Sequence, residues 1–213
     1  PHGDIACFSF HPRKVITTGE GGMLTTANSR YDRQFRLLRQ HAMSVPDTVR
    51  HGANSVIFEE YEKIGFNYRM SDIQAAVGVV QLGRLDGLLE QRRKRAERYH
   101  RLLRDHPLVA TYSIVPWTRP NWQSYPVFIA DTVALPQKEI MQRLLDAGIS
   151  ARRGIMNAHQ EQAYGLRHGL PQSEYARDHT LLLPLYPSMT DEEQDAVVNA
   201  LCACTQDNPG ATR

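Results

Sequence analysis

The chain has 213 residues, 41% of them apolar and 23% charged, with 25 Lys and Arg against 23 Asp and Glu. This is ordinary globular composition, long enough for one core or two small ones. A net charge of +2, with arginines interspersed among acidic residues and no aromatic interleaving, argues against a nucleic-acid partner; no apolar run reaches membrane-spanning length, so no membrane partner is expected either.

Residues 5–10 read as a strand. Period two puts Phe8 and Phe10 on one side and Cys7, Ser9 and His11 on the other. The polar side thus presents a hydroxyl and an imidazole just before Lys14. The chain has four lysines, and Lys63, Lys94 and Lys138 lie in charged or helix-forming surroundings. A lysine at a strand end beside apolar residues loses hydration, lowers its pKa and forms a Schiff base with a carbonyl. The competing reading of Lys14 is a solvated loop residue ahead of a hairpin. A glycine-dense turn follows, where positive φ and close backbone approach exclude side chains, and 22–26 form the returning strand.

Residues 30–41 read as an amphipathic helix with Phe35 and Leu38 on one face, and 42–64 as a long irregular loop, which in a compact domain is usually functional or mobile. Asn67 falls just before the next helix, 73–82, where Ser71 and Gln74 form a capping box. A polar cluster at a helix entrance is a natural anion seat. A charge-laced helix spans 85–105, with Leu88, Leu89, Arg92, Ala96, Tyr99, Leu102 and Leu103 as its buried stripe, and Pro107 closes it. Strand-like stretches at 125–130 and 181–185 then alternate with helices. One helix starts at Pro136 and runs through 145; another follows Thr190, with Glu193 completing a capping box. This part reads as a small α/β domain. Cys202 and Cys204 fall on different sides of that last helix, so with Cys7 they suggest neither a disulfide framework nor a metal site, and reduced thiols fit a cytoplasmic location. The tail from 206 to 213 reads as disordered.

Ser9, Phe10, His11, Lys14, Gly19, Glu20, Gly21 and Gly22 fill every position of the pattern Ser-Phe-His-x-x-Lys-x-x-x-x-Gly-Glu-Gly-Gly. This resembles the Schiff-base region of the DegT/DnrJ/EryC1/StrS family of sugar aminotransferases. Gly65-Phe66-Asn67-Tyr68-Arg69-Met70-Ser71-Asp72-Ile73-Gln74-Ala75-Ala76 resembles the family's other strong block, and 148–159 and 183–187 give weaker matches. The resemblance spans nearly the whole chain. It implies an α/β fold of the type I, aspartate aminotransferase-like class of pyridoxal-phosphate enzymes, with 1–105 as the end of the large domain plus the linking helix and 106–213 as the small C-terminal domain. The family places most of its large domain ahead of the lysine strand, so the chain is expected to be a C-terminal part that is inactive alone. In particular, no carboxylate here takes the place of the Asp that pairs with the cofactor ring nitrogen, and Asp4 is too near the lysine along the strand.

The resemblance also implies site roles. Lys14 holds pyridoxal 5'-phosphate and then serves as general base and acid; its pKa would fall through burial and the nearby Arg13. Ser9 donates to the cofactor phosphate, and Asn67 reaches the phosphate of a partner across a homodimer interface. Each also has a plain structural alternative, a satisfied hydroxyl for Ser9 and helix-entrance chemistry for Asn67. Arg69 faces substrate carboxylate or diphosphate, or else an ion pair. His11, Arg152 and His159 are further substrate candidates; Arg152 and Arg153 point to opposite sides of a strand, so at most one faces a cleft. Glu20 braces the turn by accepting backbone bonds. The implied reaction passes an amino group, with glutamate as donor, to a keto sugar on a nucleotide. Relatives that deoxygenate the sugar carry histidine in place of the lysine, and Lys14 argues against that branch. The alternative is a non-catalytic truncated or split subunit that dimerises and completes a partner's site.

Overall fold

A computed structural model describes residues 3–165 and 168–206; the predicted tail beyond Gln206 lies outside them. Two compact units divide the chain between Leu85 and Asp86.

In the first unit β1 (Ala6–Ser9) and β2 (Gly22–Thr25) form an antiparallel hairpin in the register Ala6↔Thr25 to Ser9↔Gly22. Gly22 is required there, because a Cβ would stand 2.8 Å from the Phe8 carbonyl. α1 (Ser29–Leu38) starts where the Asn28 side chain accepts from the Arg30 and Tyr31 amides, satisfying donors that a helix N-terminus leaves open. A short α2 (Asp47–His51) interrupts the stretch that composition reads as loop. α3 (Asp72–Gly83) begins with the expected capping box, both halves of which are formed.

The return from α1 fixes the segment that leads into α3. His41 and Ala42 both sit at φ 57, turning the chain back on itself. The His41 amide then donates to Phe66 O at 2.9 Å, and the Phe66 and Tyr68 amides donate to Leu38 O and Arg39 O. Gln40 bridges Asn67 antiparallel. Asn67 is therefore carried on backbone knitted to the end of α1.

In the second unit α4 (Leu85–Leu103) buries Arg92, Ala96, Tyr99 and Leu103, the i, i+4, i+7 and i+11 positions of one stripe. Leu88 and Leu89 are half-buried and Leu102 is exposed, so the stripe is narrower than the sequence suggests. An antiparallel sheet follows in the order β3-β4-β6-β5, built from β3 (Val109–Thr111), β4 (Tyr125–Ile129), β5 (Arg152–Arg153) and β6 (Thr180–Leu183). β4 alternates buried Tyr125, Val127 and Ile129 with half-buried neighbours, as a strand with one core face does. α5 (Gln137–Asp146) contributes Ile140 and Leu144, and α7 (Asp191–Gln206) contributes Val197, Val198, Leu201 and Cys204 to the same cluster. Pro136 sits at the N-cap of α5, one residue outside the helix, because its carbonyl accepts the first amides, from Glu139 and Ile140. The α7 capping box forms as expected, with Thr190 N–H on Glu193 Oε2 at 2.8 Å and Glu193 N–H on Thr190 Oγ1 at 3.2 Å. α6 (Pro171–His179) leads into β6.

Each fully buried aliphatic side chain here contributes about 1.5–3 kcal/mol. Two polar groups cross that core with defined partners. Tyr99 donates to Pro184 O at 2.9 Å, and burial raises its phenol pKa. Arg92 donates through Nη1 to Trp122 O at 2.9 Å and Leu185 O at 3.2 Å, tying α4 to the residue at φ 51 before β4 and to the exit of β6.

Candidate active site

The lysine loop runs from Phe10 to Gly21, and its backbone closes on itself. Phe10 N–H donates to Gly21 O at 2.8 Å, Thr18 N–H to Phe10 O at 3.1 Å and Lys14 N–H to His11 O at 2.9 Å. Two hydroxyls reinforce the closure: Thr17 Oγ1 donates to Phe10 O and Thr18 Oγ1 to Glu20 O, both at 2.8 Å. Thr18 is buried, and a Cβ on Gly21 would come within 2.5 Å of its hydroxyl. The loop is thus rigid at its base and presents Lys14 at the surface.

Lys14 is solvent-exposed, so the expected dehydration is not supplied by the described residues. Its ammonium makes no hydrogen bond or ion pair with any of them. Ser9 Oγ accepts only a long bond, 3.4 Å, from His11 N–H, which leaves its own O–H to donate. His11 Nδ1 accepts from Arg13 N–H at 3.2 Å. The neutral ring therefore carries its proton on Nε2, which stands 3.9 Å from the Glu20 carboxylate. Glu20 serves the loop through its main chain: its carbonyl, rather than its carboxylate, accepts from Thr18 Oγ1 and from Gln74 Nε2.

The second block lies beside this loop. A Cβ on Gly21 would meet the Met70 methyl at 3.0 Å, and one on Gly78 of α3 would meet the Thr18 methyl at 3.1 Å. Asn67 and Arg69 are exposed, and neither side chain has a partner among the described residues. The ion pair considered for Arg69 is therefore not formed. The amine, the carboxamide and the guanidinium are thus left unengaged by the described residues.

In the second unit Arg152 and Arg153 are both exposed on the edge strand β5, opposite Leu182 and Leu181. Arg153 lies near enough to Asp178 to help depress its carboxyl, behind the larger effect of Arg177. His159 is engaged elsewhere: its side chain is 9% exposed and its Nε2 stands 2.9 Å from Glu174 Oε1. A cavity of about 370 Å³ in this unit is lined by Lys94, Arg95, Arg98, Arg101 and Asp191 among others, but by none of the candidate residues. Arg95 and Arg98 there are paired to Asp191 and Asp195.

A family model matches residues 1–202, that of the DegT/DnrJ/EryC1/StrS aminotransferase family. The chain belongs to this family. Spore coat polysaccharide biosynthesis protein SpsC of Bacillus subtilis is 32% identical over 206 residues, 93% of this chain and 53% of that protein. Among solved structures, Helicobacter pylori PseC, an aminotransferase involved in the biosynthesis of pseudoaminic acid, superposes with a TM-score of 0.86 at 26% identity, covering 96% of this chain and 54% of its own. The aminotransferase TlmJ from Streptoalloteichus hindustanus gives 0.82 at 28% identity over 95% and 52%. The chain spans about half the length of the relatives it matches. The fold is accordingly that of the pyridoxal-phosphate aminotransferases, with this chain covering about half of it.

Aminotransferases of the DegT/DnrJ/EryC1/StrS family depend on pyridoxal phosphate. The residues present fit two ends of that group. An unengaged primary amine on a braced loop suits its aldehyde, and a strand hydroxyl and an unengaged carboxamide suit its phosphate. Sequence reasoning found these residues through the motif. It read Gln74 only as a capping residue, because nothing local signals a contact with Glu20, 54 positions away.

Proposed function

We infer that the chain belongs to a pyridoxal-phosphate aminotransferase that places an amino group on a nucleotide-linked keto sugar in amino-sugar biosynthesis, with glutamate as donor. The observation that carries this is the Lys14 amine, unpartnered at the surface of a loop braced at its base by the bonds between Phe10, Thr18 and Gly21. The relatives support the sugar: one is a spore coat polysaccharide biosynthesis protein and one an aminotransferase involved in the biosynthesis of pseudoaminic acid.

When bound, pyridoxal phosphate supplies an electron sink next to the amino-bearing carbon. Lys14 Nζ would hold the cofactor through its aldehyde carbon and, once freed, would take up and return the proton that moves during transfer. Ser9 donates its hydroxyl hydrogen to phosphate. Asn67 donates its amide to the phosphate of a partner copy, and the Arg69 fork receives an anionic group of the substrate. His11, and Arg152 on its edge strand, are held as substrate contacts; His159 reaches substrate only through the ring nitrogen that Glu174 does not occupy. A homodimer with shared sites is part of this reading. It is supported by the exposed apolar side chains of α3, Ile73 at 80% and Val79 at 73%, since so much apolar helix surface is normally covered. A cytoplasmic setting accords with the exposed Cys7 thiol.

The test is borohydride reduction of the protein with pyridoxal phosphate, followed by peptide mapping. Label should appear on Lys14, and the visible absorption of the cofactor adduct should vanish in Lys14→Ala. Residues 1–213 alone should transfer no amino group from glutamate, because no carboxylate in them is assigned to the ring nitrogen. Label on another lysine, or an unchanged band in Lys14→Ala, would overturn the assignment.

A further inference from the structure

Gln74 uses both ends of its carboxamide. Oε1 accepts from Ser71 N–H and Ser71 Oγ, both at 3.0 Å, which completes the capping box of α3. Nε2 points away from the helix and donates to Glu20 O at 2.9 Å. That carbonyl lies between the two glycines that end the lysine loop, and its other acceptance comes from Thr18 Oγ1. The bonds that close the loop on itself, described above, run between residues 9 and 21. The Gln74 bond ties this loop to α3. Van der Waals neighbours lie around it: the Met70 methyl near Gly21 and Gly78 near Thr18.

We propose that Gln74 is a positioning residue for Lys14: one carboxamide caps α3 and anchors the lysine loop to that helix, so that the amine keeps a fixed place in the unit that carries it. The physical need is clear. A covalent step at Nζ depends on where the amine is held, and a displacement of about 1 Å costs up to two orders of magnitude in rate. The Gln74 bond restrains rocking of the loop about Phe10 and Gly21. This inference rests on Lys14 as the cofactor lysine, and its test separates the two.

Gln74→Glu keeps an acceptor for Ser71, since glutamate is the standard capping-box partner, but replaces the donor facing Glu20 O with an oxygen. Ser71→Ala does the reverse, removing the cap acceptor and leaving Nε2 in place. Hydrogen exchange at Phe10 and Thr18, whose amides close the loop, should speed up about tenfold in Gln74→Glu, the scale of one net hydrogen bond. Exchange at Ala75, which reports the helix entrance, should not change. Ser71→Ala should show the opposite pattern. Labelling of Lys14 by pyridoxal phosphate and borohydride, at about 0.3 M salt to screen the added carboxylate, should slow about tenfold or more in Gln74→Glu alone. Unchanged exchange at Phe10 and Thr18 in that variant would overturn the proposal, as would equal labelling with the wild type. If the wild type labels no Lys14, the cofactor assignment fails, and a shifted loop exchange in Gln74→Glu still supports the brace.

Discussion

Glu174 shows how one carboxylate organises a segment. It accepts the Leu170 N–H at 2.9 Å ahead of α6 and stands 2.9 Å from His159 Nε2. Both contacts favour the ionised form, the backbone bond first, and hold its pKa below the ordinary 4.5. The folded value is the lower one, so this stabilisation is complete above the unfolded pKa and is lost as pH falls through the folded one. Urea midpoints measured from about pH 6 down to about pH 3 should therefore drop in the acid range. Glu174→Gln, which still accepts from Leu170 but does not ionise, should flatten part of that drop. An equally steep drop in the variant would place the acid sensitivity on the other depressed carboxylates, Glu59, Asp178, Glu193 and Asp195. His159 is visible in the sequence as a candidate, yet its partner is not. The pair depends on α6, whose only sequence signal is Pro171 at the first helical turn.

At the scale of elements, what is local is legible and what is distant is not. The hairpin, α3 and α7 follow from two-residue alternation, a glycine turn and two capping boxes, all contained within a few residues. The turn at His41 and Ala42 has no such signal. Neither is glycine, and both are left-handed, a conformation stabilised here by the bonds to Phe66 and Leu37. Gly65 makes the consequence testable. A Cβ there would stand 2.1 Å from Ala42 N and 2.2 Å from His41 C, both main-chain atoms that cannot swing aside. Gly65→Ala should cost the first unit about 3 kcal/mol by overpacking and loosen Asn67, whose neighbour Gln40 shares the same bridge. Gly83→Ala, with nothing within 4 Å at the end of α3, should be neutral or stabilise by up to about 1 kcal/mol. Denaturant unfolding of the two variants measures the difference; equal midpoints would show that the chain relaxes around Gly65.

Across the whole molecule the two units differ in how far they satisfy themselves. The second encloses one cluster from α4, β4, β6, α5 and α7, with Tyr99, Val127, Ile140, Leu144, Leu181 and Leu201 at 1% exposure or less. In the first, α3 has no buried residue, and Val80 and Leu82 are 62% and 61% exposed. Nothing within a helix tells which surface will cover it, so the sequence marks α3 as apolar without naming its partner. The asymmetry sets an order of local stability, since opening free energy follows buried apolar contact. In residues 1–213 the amides of Val77 to Val80 should exchange about a hundredfold or more faster than those of Val127 and Val198. If a second copy of the chain is the cover, α3 protection should also rise with protein concentration, because association stabilises only the folded form that binds. The amides of β4 and α7 should be insensitive to concentration. Hydrogen exchange read by mass spectrometry at two concentrations decides it: slow exchange in α3 at the lower concentration would mean that the exposed valines are already covered within one chain, and the shared-site dimer would lose its structural support.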